Sequence, residues 1–369
     1  METKHGYLPT LDGWRAIAVV LVILCHDSLY KIGPVSDQWL QEHGLHGVDI
    51  FFGISGLLIC SRLLEEEEAL GAISLRNFYV RRAFRILPPA YFYLLALLVL
   101  RLFSIIPVTL KELFASAFFL RNYSRFSVTP GQIDWYTGHF WSLAVEEHFY
   151  LILPSILYFA PRRWRVVVLT VLTCLVCVWR LYRQWLPPWD FPWQHTDTRL
   201  DALLIPAIFA IALRRADLRA IATRLARYWW IAAAALLWLV TWPQFERLTP
   251  LALSILIPFM LVGTVLRPSG WFASFLELAP VRWVGRVSYS LYLWQNLFFT
   301  GHYLPDSRPL GFLQSFPLRW LALFAVSTAS YYLLEKPLVR LGHRLAPPAT
   351  PGRPESAAPG PALERNLAG

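Results

Sequence analysis

The chain reads as an all-α polytopic membrane protein with about ten transmembrane helices and both termini cytoplasmic. Three observations point there. Hydrophobic residues fill 56% of the 369 positions, in recurring runs of roughly 17–25 residues, the length that crosses a bilayer. Seventeen tryptophans and sixteen tyrosines suit the aromatic belts of the two membrane surfaces. Arginines gather in alternate loops, the asymmetry that orients helices across a membrane.

Taken in order, the expected spans are 13–30, 47–64, 88–104, 140–160, 166–182, 198–213, 228–242, 249–266, 287–304 and 316–334. The first has only Lys4 and His5 before it and no small-residue cleavage site after Tyr30. It therefore reads as a retained helix rather than a signal peptide. Arg62, Arg76, Arg81, Arg82 and Arg85 follow span two, Arg162, Arg163 and Arg165 follow span four, and Arg214, Arg215, Arg219, Arg224 and Arg227 follow span six. Arg267, Arg282 and Arg286 precede span nine, and Arg340 and Arg344 follow span ten. All lie on one side if both termini are cytoplasmic, and the agreement of every alternate loop supports an even span count.

In the long connection 105–139, Leu110–Leu120 reads as an interfacial or re-entrant helix, because an eleventh crossing would break the charge alternation. Glu65–Glu68 reads as a solvated helix end. Residues 1–345 form one transmembrane domain, and the Pro- and Ala-rich 346–369 a disordered tail. The net charge of +10 belongs to this topology, so no nucleic-acid partner is expected. Cys174-x-x-Cys177 lies in an apolar run without a nearby histidine and reads as buried helix packing. The expected location is the inner (cytoplasmic) membrane, multi-pass, with lipid as a partner.

Six polar constellations interrupt this background. Arg15 and His26 stand eleven residues apart in one apolar run. Eleven helical steps close three turns to within roughly 20°, so both face one way, about 16 Å apart. Ionisable groups at membrane depth are costly and mark function by default. His46-Gly47-Val48-Asp49 through Gly56 opens span two, with Asp49 near the depth of His26. His43, His46 and Asp49 have helical ligand spacing, but loop histidines are commoner than metal ligands, and no metal is expected. Arg82 and Arg85 share a helix face and suit phosphate. Trp141-Ser142 through Glu146-Glu147-His148 puts two carboxylates and a histidine at the start of a span. Asp197-Thr198-Arg199-Leu200-Asp201 is either a local ion-pair network or a substrate contact. Ser288-Tyr289-Ser290-Leu291-Tyr292 through Asn296 carries hydroxyls and an amide into span nine, where interhelical hydrogen bonding is the alternative use.

In this order the motifs resemble the membrane acyltransferase-3 family. They are Leu11-Asp12-Gly13-Trp14-Arg15 with His26, Gly47 through Gly56, Arg82-x-x-Arg85, Phe140 through Glu147, Thr196 through Asp201, Val287 through Trp294, and Glu335-Lys336-Pro337. The resemblance implies an integral-membrane O-acyltransferase that moves an acyl group, commonly acetyl, from cytoplasmic acyl-CoA to a hydroxyl. The acceptor would be a carbohydrate, a lipid-linked glycan or another cell-envelope molecule. Acyl-CoA would be a co-substrate, with no permanently bound cofactor. It further implies that His26 is essential and that Arg15, Arg82 and Arg85 serve the donor. Many relatives carry a histidine where this chain has Gln295. Some carry an SGNH-hydrolase-type domain that these residues lack, so transfer would be completed here or by a separate partner.

A pantetheine arm, on the order of 15–20 Å long, matches the helical Arg15–His26 distance. His26 would act as general base or acyl carrier, with Asp49 or Glu146 orienting its imidazole. The candidates for acceptor binding are Trp141, Ser142, Glu147, Asp197, Arg199, Asp201, Tyr289 and Tyr292. A transporter or flippase using these charges as a relay is the alternative. A sensor or scaffold would tolerate His26→Ala.

Overall fold

Lipid offers no partner for backbone N–H and C=O groups, so apolar runs must satisfy them within helices. The computed structural model describes residues 8–27, 39, 43–123, 135–183, 194–242, 248–268, 270–300 and 309–347, and helix is the regular structure found among them. The expected tail beyond Pro347, residues 28–30 of the first span and 301–304 of the ninth lie outside the described residues.

The first half of the chain forms α1 (Pro9–His26), α2 (Gly47–Leu70), α3 (Leu75–Leu102), α4 (Leu110–Ala117), α5 (Trp135–Gly138), α6 (Phe140–Phe159) and α7 (Arg165–Arg183). The second forms α8 (Thr196–Arg199), α9 (Asp201–Ala212), α10 (Ala216–Leu225), α11 (Trp229–Thr241), α12 (Thr249–Leu266), α13 (Trp271–Leu276), α14 (Ala279–Phe298), α15 (Leu318–Ser330) and α16 (Lys336–Leu345). Each expected span overlaps at least one of these helices. Among the described residues, five stretches are long and apolar enough to cross a membrane: Pro9–His26, Gly44–Leu70, Leu75–Leu102, Arg162–Arg183 and Thr249–Leu266. α6 and α14 are long too, but polar motif residues dilute their apolar character.

Helix α1 is the axis of the bundle, packed between α2 and α14, while α9 lies along α2 and α16 along α3. Two glycines set these distances. A Cβ on Gly285 would stand 1.8 Å from the Asp12 carbonyl oxygen, and one on Gly56 would stand 2.3 Å from that of Leu203. Neither can be substituted without moving a helix.

Several boundaries depart from expectation, each for a physical reason. α3 starts at Leu75 rather than residue 88, because the Ser74 hydroxyl caps it by accepting from the Asn77 amide at 3.3 Å. The helix continues through Pro88 and Pro89, so the arginines before them sit on a helix rather than in its approach. α4 has eight residues, about 12 Å of helix, too short to span. Between α15 and α16, Tyr331–Glu335 widens into a π turn that aims Glu335 inward. Cys174 is exposed and Cys177 half-buried, because α7 turns that side outward, so the buried packing expected of them does not occur.

The acidic run is not a free helix end either. Glu66 takes Arg81 at 2.6 Å, Glu67 takes both terminal nitrogens of Arg165 at 2.6 and 2.9 Å, and Glu68 takes Arg214 at 2.7 Å. One turn of α2 thereby ties α3, α7 and the α9–α10 connection together at the arginine-rich end of the bundle.

Candidate active site

At that end a cavity of about 1360 Å³ opens between α1, α2, α3, α6, α14 and α16. Its lining follows α2 from Ala69 to Val48, about 31 Å at 1.5 Å per residue. The opening half is charged. Arg15 is held at 2.7 Å by Asp12, one turn earlier on α1. Arg62 meets Glu65 at 3.2 Å and Arg81 meets Glu66. Arg82 and Arg85 form no hydrogen bond or ion pair among the described residues, although both line the cavity. Arg82 lies 4.9 Å above the Tyr150 ring and within electrostatic reach of Glu146 and Glu147. On α16, His343 is held below its ordinary pKa by burial and then by Arg81, Arg85, Arg62 and Arg82. This wall of the cavity is therefore cationic.

The inner half carries the apolar side chains Phe51, Phe52, Ile54, Leu58 and Leu143 beside the polar Ser55, Glu146 and Glu147, and its lining ends at Phe51, Ser142 and Tyr292. The Tyr292 hydroxyl stands 2.6 Å from Ser142 Oγ and donates to the His139 carbonyl at 3.0 Å. Beyond that pair lies His26, which is not among the residues lining the cavity. Its Nδ1 is 3.3 Å from Gln295 Oε1, one turn past Tyr292 on α14. Its ring meets Trp135 edge-on at 5.0 Å. Trp135 is fixed in turn by reciprocal 2.9 Å hydrogen bonds with Asn296.

The sequence-predicted residues thus divide into three groups. Arg15, Arg82, Arg85, Ser142, Glu146, Glu147, Tyr289 and Tyr292 line one cavity, so four of the expected acceptor contacts share the chamber of the expected donor arginines. His26 stands alone at the far end. Asp49, Trp141, Asp197, Arg199 and Asp201 are not among the lining residues, and each has another partner. Asp49 pairs with Arg199 and with His46 at 3.2 Å. Trp141 packs on Phe52 at 6.1 Å. Asp197 accepts from Trp179 Nε1 at 2.6 Å, and Asp201 takes Arg180 at 2.7 Å and Ser254 at 3.0 Å.

Two expected roles change as a result. The imidazole is oriented by Gln295, not by Asp49, whose carboxylate is taken by Arg199, nor by Glu146, which accepts from Ser55 at 3.0 Å and Tyr150 at 2.9 Å. Sequence reasoning assigned Gln295 nothing. It also passed over His139, a buried neighbour of Tyr292 within electrostatic reach of His26, and gave no role to Glu335 of the Glu335-Lys336-Pro337 motif, which accepts from Ser290 at 3.0 Å. A polar residue one turn after Tyr292 was the available signal for Gln295.

The Asp49–Arg199 pair is buried, with His46 as its second donor. Removing one partner strands the other in a low-dielectric interior. Asp49→Ala is expected to destabilise the protein by about 3–5 kcal/mol, read as a lower melting temperature in detergent. Asp49→Ala with Arg199→Leu should recover part of the loss; an unchanged melting temperature in the single variant contradicts the role.

The profile of the acyltransferase-3 family, described as an acyltransferase domain, matches residues 8–336. Two relatives named O-acetyltransferase OatA, from Staphylococcus aureus strains NCTC 8325 and COL, are 28% identical over 368 aligned positions, covering 92% of this chain and 58% of each relative. The chain therefore spans little more than half the length of these relatives. No solved structure matches it.

Proposed function

This chain belongs to the acyltransferase-3 family, and from that premise we propose that it is an integral-membrane O-acyltransferase using cytoplasmic acyl-CoA, with acetyl the expected acyl group. The observation that carries this reading is the cavity, arginine-rich at its mouth, walled further in by Phe51, Phe52, Ile54, Leu58 and Leu143, and about 31 Å long. Arg82 and Arg85, the cavity arginines that form no hydrogen bond or ion pair among the described residues, offer paired guanidinia to the donor's phosphates. The inner half suits a pantetheine arm, whose thioester would travel toward Tyr292 and His26. The arginine-rich end would then be cytoplasmic, with both termini there, about ten spans between them and the inner membrane as location.

The reaction joins an acceptor hydroxyl to the acyl carbon. The acceptor oxygen forms the new C–O bond, the C–S bond breaks, and the hydroxyl proton passes through His26 to the departing CoA thiolate. Gln295 Oε1 would accept from His26 Nδ1–H, leaving Nε2 as the basic or nucleophilic nitrogen. If His26 carries the acyl group, CoA is released before an acceptor arrives. Exchange of labelled CoA into acetyl-CoA without acceptor distinguishes the carrier from the general base. A carbohydrate or lipid-linked glycan is the proposed acceptor, entering from the histidine end.

The test is acetyl-CoA consumption by the purified protein in nanodiscs. Thioester loss with CoA release supports the reading. A folded protein that neither binds nor cleaves any acyl-CoA, yet moves solute across vesicles, makes it a transporter instead. Gln295→Leu is expected to lower kcat by about tenfold to a hundredfold, the worth of one buried hydrogen bond of roughly 1–3 kcal/mol, with KM for the donor unchanged. A rise in KM alone would place Gln295 in donor binding rather than behind the histidine.

A further inference from the structure

We infer that Phe51 sets the length of acyl chain that passes from the donor cavity to His26. The inference rests on the O-acyltransferase reading and deepens it by naming the size class of the transferred group. The cavity lining ends at Val48 and Phe51 on α2, Ser142 on α6 and Tyr292 on α14, while on α1 it goes no further than Arg15. His26 is eleven residues beyond Arg15. A thioester carbonyl must therefore pass the Phe51–Tyr292 pair to come beside the imidazole.

The two rings meet at 6.2 Å, inclined at 69°. They are not equally fixed. Tyr292 is tethered by its hydroxyl to Ser142 and to the His139 carbonyl. Phe51 has no polar tether and is only half-buried, whereas its neighbour Phe52 is fully buried. Phe51 is thus the adjustable wall of the constriction, facing the space where carbons beyond the thioester carbonyl must go. Behind it, Trp135 and Gln295 stand against the His26 ring, so a longer chain must share the space beside the imidazole with two fixed side chains. An aromatic wall of this kind discriminates by roughly 10–200-fold per methylene.

The experiment measures kcat/KM for acetyl-, butyryl- and hexanoyl-CoA in nanodiscs, for wild type, Phe51→Ala and Phe51→Trp. Wild type should prefer acetyl. Phe51→Ala should raise the butyryl-to-acetyl ratio by roughly tenfold or more, and Phe51→Trp should lower it. Because each ratio is taken within one preparation, a smaller folded fraction cancels. Acetyl-CoA turnover with the same ratio in all three proteins overturns the role of Phe51, as does a wild type that uses hexanoyl-CoA as well as acetyl-CoA. No turnover of any acyl-CoA by wild type overturns the donor reading itself, and this inference with it.

Discussion

His26→Ala is expected to lower acyl transfer by roughly 10²–10⁴-fold, the range for loss of a positioned acid–base group, or to abolish it if the histidine carries the acyl group. Donor binding should survive, because the cavity arginines lie along α1 and α3 while His26 closes the opposite end of α1. Stability should change little. The contacts given up are one 3.3 Å hydrogen bond to Gln295 and one edge-on contact to Trp135, and Trp135 keeps both bonds to Asn296. Acetyl-CoA affinity and turnover measured on the same nanodisc sample separate the two effects. Lost turnover with intact affinity is the expected result. Lost affinity would move His26 into the donor site, and retained turnover would remove it from the chemistry.

Much of this arrangement was legible in the sequence because the bilayer constrains it so strongly. Apolar run length gave the helices, and Arg15 and His26 do share α1, although Arg15 lines the cavity and His26 does not. Arg82 and Arg85 were legible as a pair on one face, although the length of their helix was not. Proline reads as a helix boundary, yet α3 runs through Pro88 and Pro89 from a cap at Ser74. Partner choice between distant segments was the harder matter. Asp49 was expected near the depth of His26, but Gly47, two residues before it, already packs against Ala18 and Val22, and depth along a helix does not say which face meets which neighbour. Arg199 reaches Asp49 from α8, and the imidazole is left to an uncharged amide on α14. Glu65–Glu68 misled for the same reason, since four consecutive carboxylates look solvated until arginines from three other segments converge on them.

Replacing both Arg82 and Arg85 by alanine is expected to weaken acyl-CoA binding by roughly 10²–10⁴-fold, taking each charged hydrogen bond at about 1.5–3 kcal/mol. The single variants should not behave alike. Arg85 has no hydrogen bond or ion pair of its own among the described residues, so Arg85→Ala should reduce affinity while leaving the melting temperature near that of wild type. Arg82 packs over Tyr150 at 4.9 Å and faces Glu146 and Glu147. Its loss leaves two half-buried carboxylates with less compensation, so Arg82→Ala should reduce both affinity and stability. Salt gives an independent reading. If the arginines hold phosphates, wild-type affinity should fall as ionic strength rises, and the double variant should lose most of that dependence. Isothermal titration with acetyl-CoA at two salt concentrations measures it directly. A double variant that binds as tightly as wild type, with the same salt dependence, would put the phosphates elsewhere. Arg15, Arg62 and Arg81 would be the remaining arginines of the cavity to test, each already engaged by a carboxylate, so a donor held there would have to displace an existing pair.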